Sequence, residues 1–196
     1  MSKIRQAPCE ACGELTPSHE IISLGVGGST YRQLCGQCFN AEVTQLKGLG
    51  SFESFRIEPI TLRDCAGEAH DFHFRTRLLG QVVAMDAFEL RDGEPSGYQC
   101  EVADDPDADL HGLLGRLVDK LRRMLAVKDL TFGEPEPQIA EQTVRGRIDW
   151  DESVRGRTPL LVIDGQEVTW EEFGRMLATF EGWQFRLELI DRCDEA

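Results

Sequence analysis

The sequence predicts an α+β protein with a small, loop-rich head and a larger body in which a mixed antiparallel sheet packs with two helices. Three observations predict it. Two Cys-x-x-Cys pairs stand between residues 9 and 38, separated by a stretch that contains a glycine-rich turn. Residues 70–102 alternate apolar and polar with period two and are followed by an apolar stripe at helical spacing. Residues 160–189 then run strand, strand, helix, strand. The head is assigned to residues 1–50 and the body to residues 51–196.

Charge separates the same two parts. The 196 residues carry 21 Lys and Arg against 35 Asp and Glu, a formal charge of −14. In the head Lys3, Arg5, Arg32 and Lys47 balance Glu10, Glu14, Glu20 and Glu42, so the whole deficit lies in the body. An acidic surface repels phosphate backbones, which disfavours non-specific nucleic-acid binding. No apolar run approaches the roughly 20 residues that span a bilayer, and Met1–Gln6 lacks the apolar stretch of a secretory signal. The expectation is a cytoplasmic protein with no membrane partner.

In the head, Cys9-Glu10-Ala11-Cys12-Gly13 is followed, after 22 residues, by Cys35-Gly36-Gln37-Cys38. A Cys-x-x-Cys turn aims two thiolates at one point, and two such turns complete the tetrahedron of sulfurs that zinc takes in closed structural sites. The expected ligands are therefore Cys9, Cys12, Cys35 and Cys38, around one structural zinc ion. Between the pairs, Glu20–Leu24 and Ser29–Leu34 predict two strands joined at Gly25-Val26-Gly27-Gly28. Phe39, Val43, Leu46 and Leu49 then recur at helical spacing up to Gly48 and Gly50. Knuckle, hairpin, and a second knuckle opening a helix resembles the treble-clef zinc fingers; a zinc ribbon would instead follow the second pair with a strand. A redox dithiol is a weaker reading, because two pairs stand at zinc-like separation. A catalytic zinc needs an open position, and His19, the only spare ligand nearby, reads as a hairpin residue. Cys65, Cys100 and Cys193 are scattered and are expected to be reduced, inert thiols.

The body begins with four predicted strands, Phe55–Arg63, His70–Leu78, Val82–Leu90 and Tyr98–Val102, with Pro59 marking an edge or bulge and Asp92–Gly97 a turn. Phe72, Phe74, Thr76 and Leu78 share one face of the second strand. A helix follows, with Asp105 as its expected N-cap and Pro106 in its first position. Its apolar stripe comprises Leu110, Leu113, Leu114, Leu117, Val118, Leu121, Met124 and Leu125. Residues 133–159 are polar and turn-rich and hold two Val-Arg-Gly-Arg copies, 144–147 and 154–157. Asp164-Gly165 between Leu160–Ile163 and Gln166–Val168 is a hairpin signal. Thr169 and Glu172 form a capping box, with Val168 and Phe173 as a hydrophobic staple. Trp183, Phe185, Leu187 and Leu189 alternate with polar residues in a predicted final strand. Both halves of the body are expected to share one core.

Leu34-Cys35-Gly36-Gln37-Cys38-Phe39-Asn40 and Trp170-Glu171-Glu172-Phe173 resemble an uncharacterised bacterial family with a Cys-x-x-Cys head and an α+β tail, a resemblance that implies no activity. Gly25-Val26-Gly27-Gly28 lacks the register of a phosphate loop, and no Gly-x-Ser-x-Gly or His-Glu-x-x-His occurs. His70 and His73, three apart on a strand, point to opposite faces. Arg116, Lys120, Arg122, Arg123 and Lys128, with Arg145, Arg147, Arg155 and Arg157, are the basic residues that a nucleic-acid reading would join. The reading favoured by a closed metal site without a catalytic motif is a zinc-binding, non-enzymatic adaptor with a protein partner. Its alternatives are a nucleic-acid-binding regulator that uses the finger and the arginine loop, and an enzyme of unrecognised type with its site between the two halves of the body.

Overall fold

A computed structural model of the chain describes residues 5–25, 31–49, 52–133, 136–151 and 158–193. The head opens with a short antiparallel pair, β1 (Gln6–Pro8) and β2 (Leu15–Pro17), which flanks the first cysteine pair and was not expected from the sequence. A single 3-10 turn, Ser18–Glu20, leads into the hairpin of β3 (Ile21–Gly25) and β4 (Tyr31–Cys35). The expected turn at Val26–Gly28, and Ser29, lie outside the described residues. Helix α1 (Gly36–Lys47) starts inside the second cysteine pair and ends at Gly48, whose φ of 63° is left-handed.

The body begins with a four-stranded antiparallel sheet in the order β5 (Ile60–Arg63), β6 (Ala69–Leu78), β7 (Val83–Arg91), β8 (Glu94–Asp104). Strand β5 is shorter than expected, because pairing begins only after Pro59, which has no N–H to give. Strand β8 is longer than expected. Asp92 and Gly93, with φ of 54° and 88°, close the hairpin in two left-handed residues, so residues 94–97 belong to the strand. A register shift at Phe88/Glu89 absorbs the extra length.

Helix α2 (Leu110–Leu125) starts four residues later than expected. The Asp109 carboxylate accepts from the backbone N–H of His111 at 3.0 Å and of Gly112 at 3.1 Å, which caps the helix. Asp105 instead closes a turn, its carbonyl accepting from Ala108 N. Leu113, Leu117, Leu121 and Leu125 are buried against Phe72, Phe74, Val83, Met85, Tyr98 and Val102. This is the main core.

The stretch expected to be irregular contains structure. Strand β9 (Leu130–Phe132) pairs with β10 (Pro137–Ile139), and β11 (Arg147–Trp150) forms the edge of a three-stranded antiparallel sheet with β12 (Pro159–Ile163) and β13 (Gln166–Thr169). Asp164 and Gly165, with φ of 52° and 72°, make the expected tight turn. Helix α3 (Trp170–Ala178) carries the expected capping box: Thr169 Oγ1 accepts from Glu172 N at 3.2 Å, and Thr169 N donates to Glu172 Oε2 at 2.8 Å.

Two further expectations need correction. The halves of the body do not share one core: Leu130, Ile163, Val168 and Met176 form a cluster of their own, and a third cluster lies in the head. The two body halves meet at a tight seam, where a Cβ on Gly165 would lie 2.9 Å from the Tyr98 ring. The predicted final strand does not form. Residues 183–190 belong to no ladder, and Trp183, Phe185, Leu187 and Leu189 are exposed. Period-two alternation gives a segment a strand's two faces but supplies no neighbour to pair with. No described helix is long and apolar enough to cross a membrane.

Candidate metal centre

The first cysteine pair sits in the knuckle between β1 and β2. Cys9 N donates to Glu14 O at 2.9 Å and Gly13 N to Cys9 O at 2.8 Å. Gly13, at φ 77°, takes the left-handed conformation that this tight return demands. Glu10 N donates to Gln33 O at 2.9 Å and Gln33 N to a Glu10 carboxylate oxygen at 3.2 Å, so the knuckle is held against β4. Strand β4 ends at Cys35, which is also the N-cap of α1, and Cys38 follows in the first helical turn.

These local structures bring the four thiols within 4.8 Å of one another, positioned to bind a metal ion. Cys12 Sγ lies 3.9 Å from Cys35 Sγ. Sulfurs at the corners of a tetrahedron about 2.3 Å from its centre stand about 3.8 Å apart, so the spacing fits a four-thiolate ion. It is nearly twice a disulfide bond, and all four cysteines are free. Cys9 and Cys35 are buried, Cys38 is half-buried and Cys12 faces solvent. Leu34, Phe39, Val43 and Leu78 pack beneath them as an apolar floor. Burial raises the Cys9 thiol, but hydrogen bonds from the backbone of Cys12, Cys35 and Ala11 outweigh it and bring the pKa down to about 6. Burial pushes Cys35 and Cys38 up, helped at Cys38 by hydrogen bonding with the other three thiols. Four close sulfurs cannot all ionise without a cation to share the charge.

The head is seated on the body by residues that the sequence does not flag. Strand β5 pairs only with Ala69–Phe72, which leaves the far half of that edge of β6 open. The buried amide of Asn40, on α1, fills the gap as a strand would: Nδ2 donates to Thr76 O at 3.0 Å and Oδ1 accepts from Leu78 N at 2.8 Å. His19 is no metal ligand but a buried docking residue, its ring 5.3 Å from that of His73 and 6.0 Å from Phe88. Arg75 donates to its carbonyl at 3.1 Å.

A second cluster, Asp64, Glu68 and His70, also brings three donor atoms together. A cation is already there. Lys128 Nζ lies 2.7 Å from Asp64 Oδ2, and Asp64 Oδ1 accepts from the backbone of Ala66 and Glu68. That lysine, ahead of the backbone hydrogen bonds that the carboxylate accepts, holds the Asp64 carboxyl well below the usual carboxylate range. His70 Nδ1 lies 2.9 Å from Glu89 Oε1, and Lys128 reaches Tyr98 Oη at 3.4 Å. The network stitches the seam between the body halves. As expected, His70 and His73 lie on opposite faces of β6: one meets Tyr98, the other His19.

Four of the described basic residues have acidic partners. Arg116 pairs with Asp104, Arg122 with Asp119, Arg145 with Asp129 and Arg147 with Asp149. Lys120 is buried and donates to the carbonyls of Glu101 and Arg192. Arg155 and Arg157 lie outside the described residues. Of the scattered thiols Cys65 is exposed, while burial pushes Cys100 up to about 12 and Cys193 up to about 11.

The chain matches three family models, each described as a domain of unknown function: DUF7685 over residues 8–49, DUF7686 over 53–126 and DUF7713 over 128–194. No curated protein and no solved structure matches it. The three matched stretches correspond to the buried residues of the three apolar clusters, with one exception: Leu78 of the second stretch packs in the cluster of the first.

Proposed function

We propose that the chain is a zinc-binding interaction protein, an adaptor rather than a catalyst, in which a treble-clef finger presents a surface and the α+β body carries it. The observation that supports this most is the tetrahedral spacing of Cys9, Cys12, Cys35 and Cys38, which uses every thiol of the head. Four soft thiolates in a tetrahedron select zinc and leave no coordination position for a substrate. The ion's role is structural. A head of some fifty residues has too little apolar surface to fold unaided, and zinc contributes about 10–16 kcal/mol in comparable peptides. The head also exposes Leu15, Tyr31 and Leu46, apolar side chains available to a protein partner.

Two measurements test the reading. Elemental analysis of protein purified without chelator is expected to find one zinc per chain, and cobalt replacement to give the visible bands of a tetrahedral four-thiolate ion. Much less than one equivalent would remove the zinc assignment. A pull-down from native extract with the folded variants Tyr31→Ala and Leu46→Glu is expected to lose partners that the wild type retains. Unchanged capture would remove the adaptor assignment and leave the zinc site standing.

A further inference from the structure

Beyond α3 the chain passes from Trp183 to Ile190 outside any helix or ladder. Trp183, Phe185, Leu187 and Leu189 are 61%, 90%, 73% and 73% exposed. This segment is anchored at both ends. Trp183 N donates to Phe180 O at 3.0 Å. At the far end Lys120 Nζ donates to Arg192 O at 2.9 Å, the Arg192 guanidinium lies 2.8 Å from Glu101 Oε2, and Cys193 Sγ donates to Glu101 Oε1. Between these ties stands an arm with the side-chain alternation of a half-buried strand and no ladder partner. Arg186 and Glu188, which alternate with the apolar residues, form an ion pair at 3.3 Å and so lie together.

Backbone groups outside a ladder, together with an apolar row, are what one strand offers another. We propose that the partner is the same arm of a second copy, paired antiparallel about a two-fold axis. Charge complementarity selects this arrangement. With Leu187 opposite Leu187, Phe185 meets Leu189 on the apolar face, and Arg186 faces Glu188 of the second copy twice over on the polar face. A shift of two residues one way sets Arg186 against Arg186, and the other way Glu188 against Glu188. A shift of one residue puts apolar side chains on the polar face. Parallel in-register pairing stacks like charge on like. One antiparallel register satisfies both faces. An isologous contact of this kind closes after two copies.

A two-stranded ribbon is marginal by itself, so a dimer in the micromolar range is expected, well formed at about 100 μM. Sedimentation velocity over a concentration series reads it. All the substituted side chains are exposed, so each variant keeps its fold. R186E and E188R singly turn both cross-strand pairs from attraction to repulsion and are expected to weaken association about tenfold. The double variant R186E/E188R is expected to restore it. Under mild oxidation L187C is expected to cross-link across the axis, whereas F185C, about 13 Å from its twin in this register, is not. A wild type that stays monomeric at about 100 μM overturns the proposal, whether the arm then folds onto its own chain or waits for another protein. A dimer indifferent to the single reversals places the interface elsewhere. Cross-linking through Phe185→Cys but not Leu187→Cys overturns the register.

Discussion

Asn40 offers the sharpest test of how the head is held. Replacing it with alanine removes two hydrogen bonds at once, from Nδ2 to Thr76 O at 3.0 Å and from Leu78 N to Oδ1 at 2.8 Å. Leu78 N cannot turn to solvent, because Asn40 is 2% exposed and Leu78 fully buried, whereas Thr76 is half-buried. A buried donor or acceptor left unmet costs about 1–3 kcal/mol, so the pair together costs at most about 2–6 kcal/mol. That is a large part of the 5–15 kcal/mol typical of a whole domain. Asn40→Asp keeps an acceptor for Leu78 N but sets a carboxylate oxygen against Thr76 O, and is expected to be no better than alanine. Urea unfolding followed by circular dichroism, with hydrogen exchange at the Leu78 amide, reads both effects. A loss below about 0.5 kcal/mol with Leu78 still protected would refute the view that a side chain completes this sheet edge.

Three further outcomes are expected. Chelating the metal, or Cys12→Ser at the exposed corner of the site, unfolds the head while the body's helical signal persists, and a single cooperative loss of both would argue against separate clusters. Leu117→Ala opens a cavity under α2 at a fully buried position and is expected to cost about 3–5 kcal/mol in the same urea assay. Stability should fall in two windows as pH drops. Burial holds His19 and His73 below their ordinary value of 6.5, so folding favours their neutral forms and that contribution fades as pH falls below 6.5. Asp64, held below the usual carboxylate range chiefly by Lys128, adds stability above about pH 4 that is lost below it. A His19→Gln/His73→Gln double variant should flatten the upper window relative to wild type and leave the lower one.

Features that rest on local chemistry were legible in the sequence, and features that rest on distant partners were not. The paired cysteines, the leucine stripe of α2, the Asp164-Gly165 turn and the Thr169/Glu172 box each act within a few residues of themselves. The cap of α2 was misplaced because Asp105 and Asp109 are equally good caps in composition, and only the bonds to His111 and Gly112 tell them apart. Strands β10 and β11 hide in a polar stretch because pairs of three or four residues leave too short an alternation to detect. Asn40 and His19 gave no signal of their docking roles. Their partners lie 36 and more residues away, those of Asn40 on the β6 edge that β5 leaves unpaired and those of His19 on β6 and β7.

Leu78 stands in β6, yet it fills the apolar layer beneath the cysteines. A fragment cut after residue 49 would keep every sulfur and lose the side chain that closes their floor. Such a piece would gather its ion over a hollow, bare on the side where the sheet belongs. The head is therefore finished by a residue some thirty positions beyond its last helix, and what sequence matching divides, packing joins.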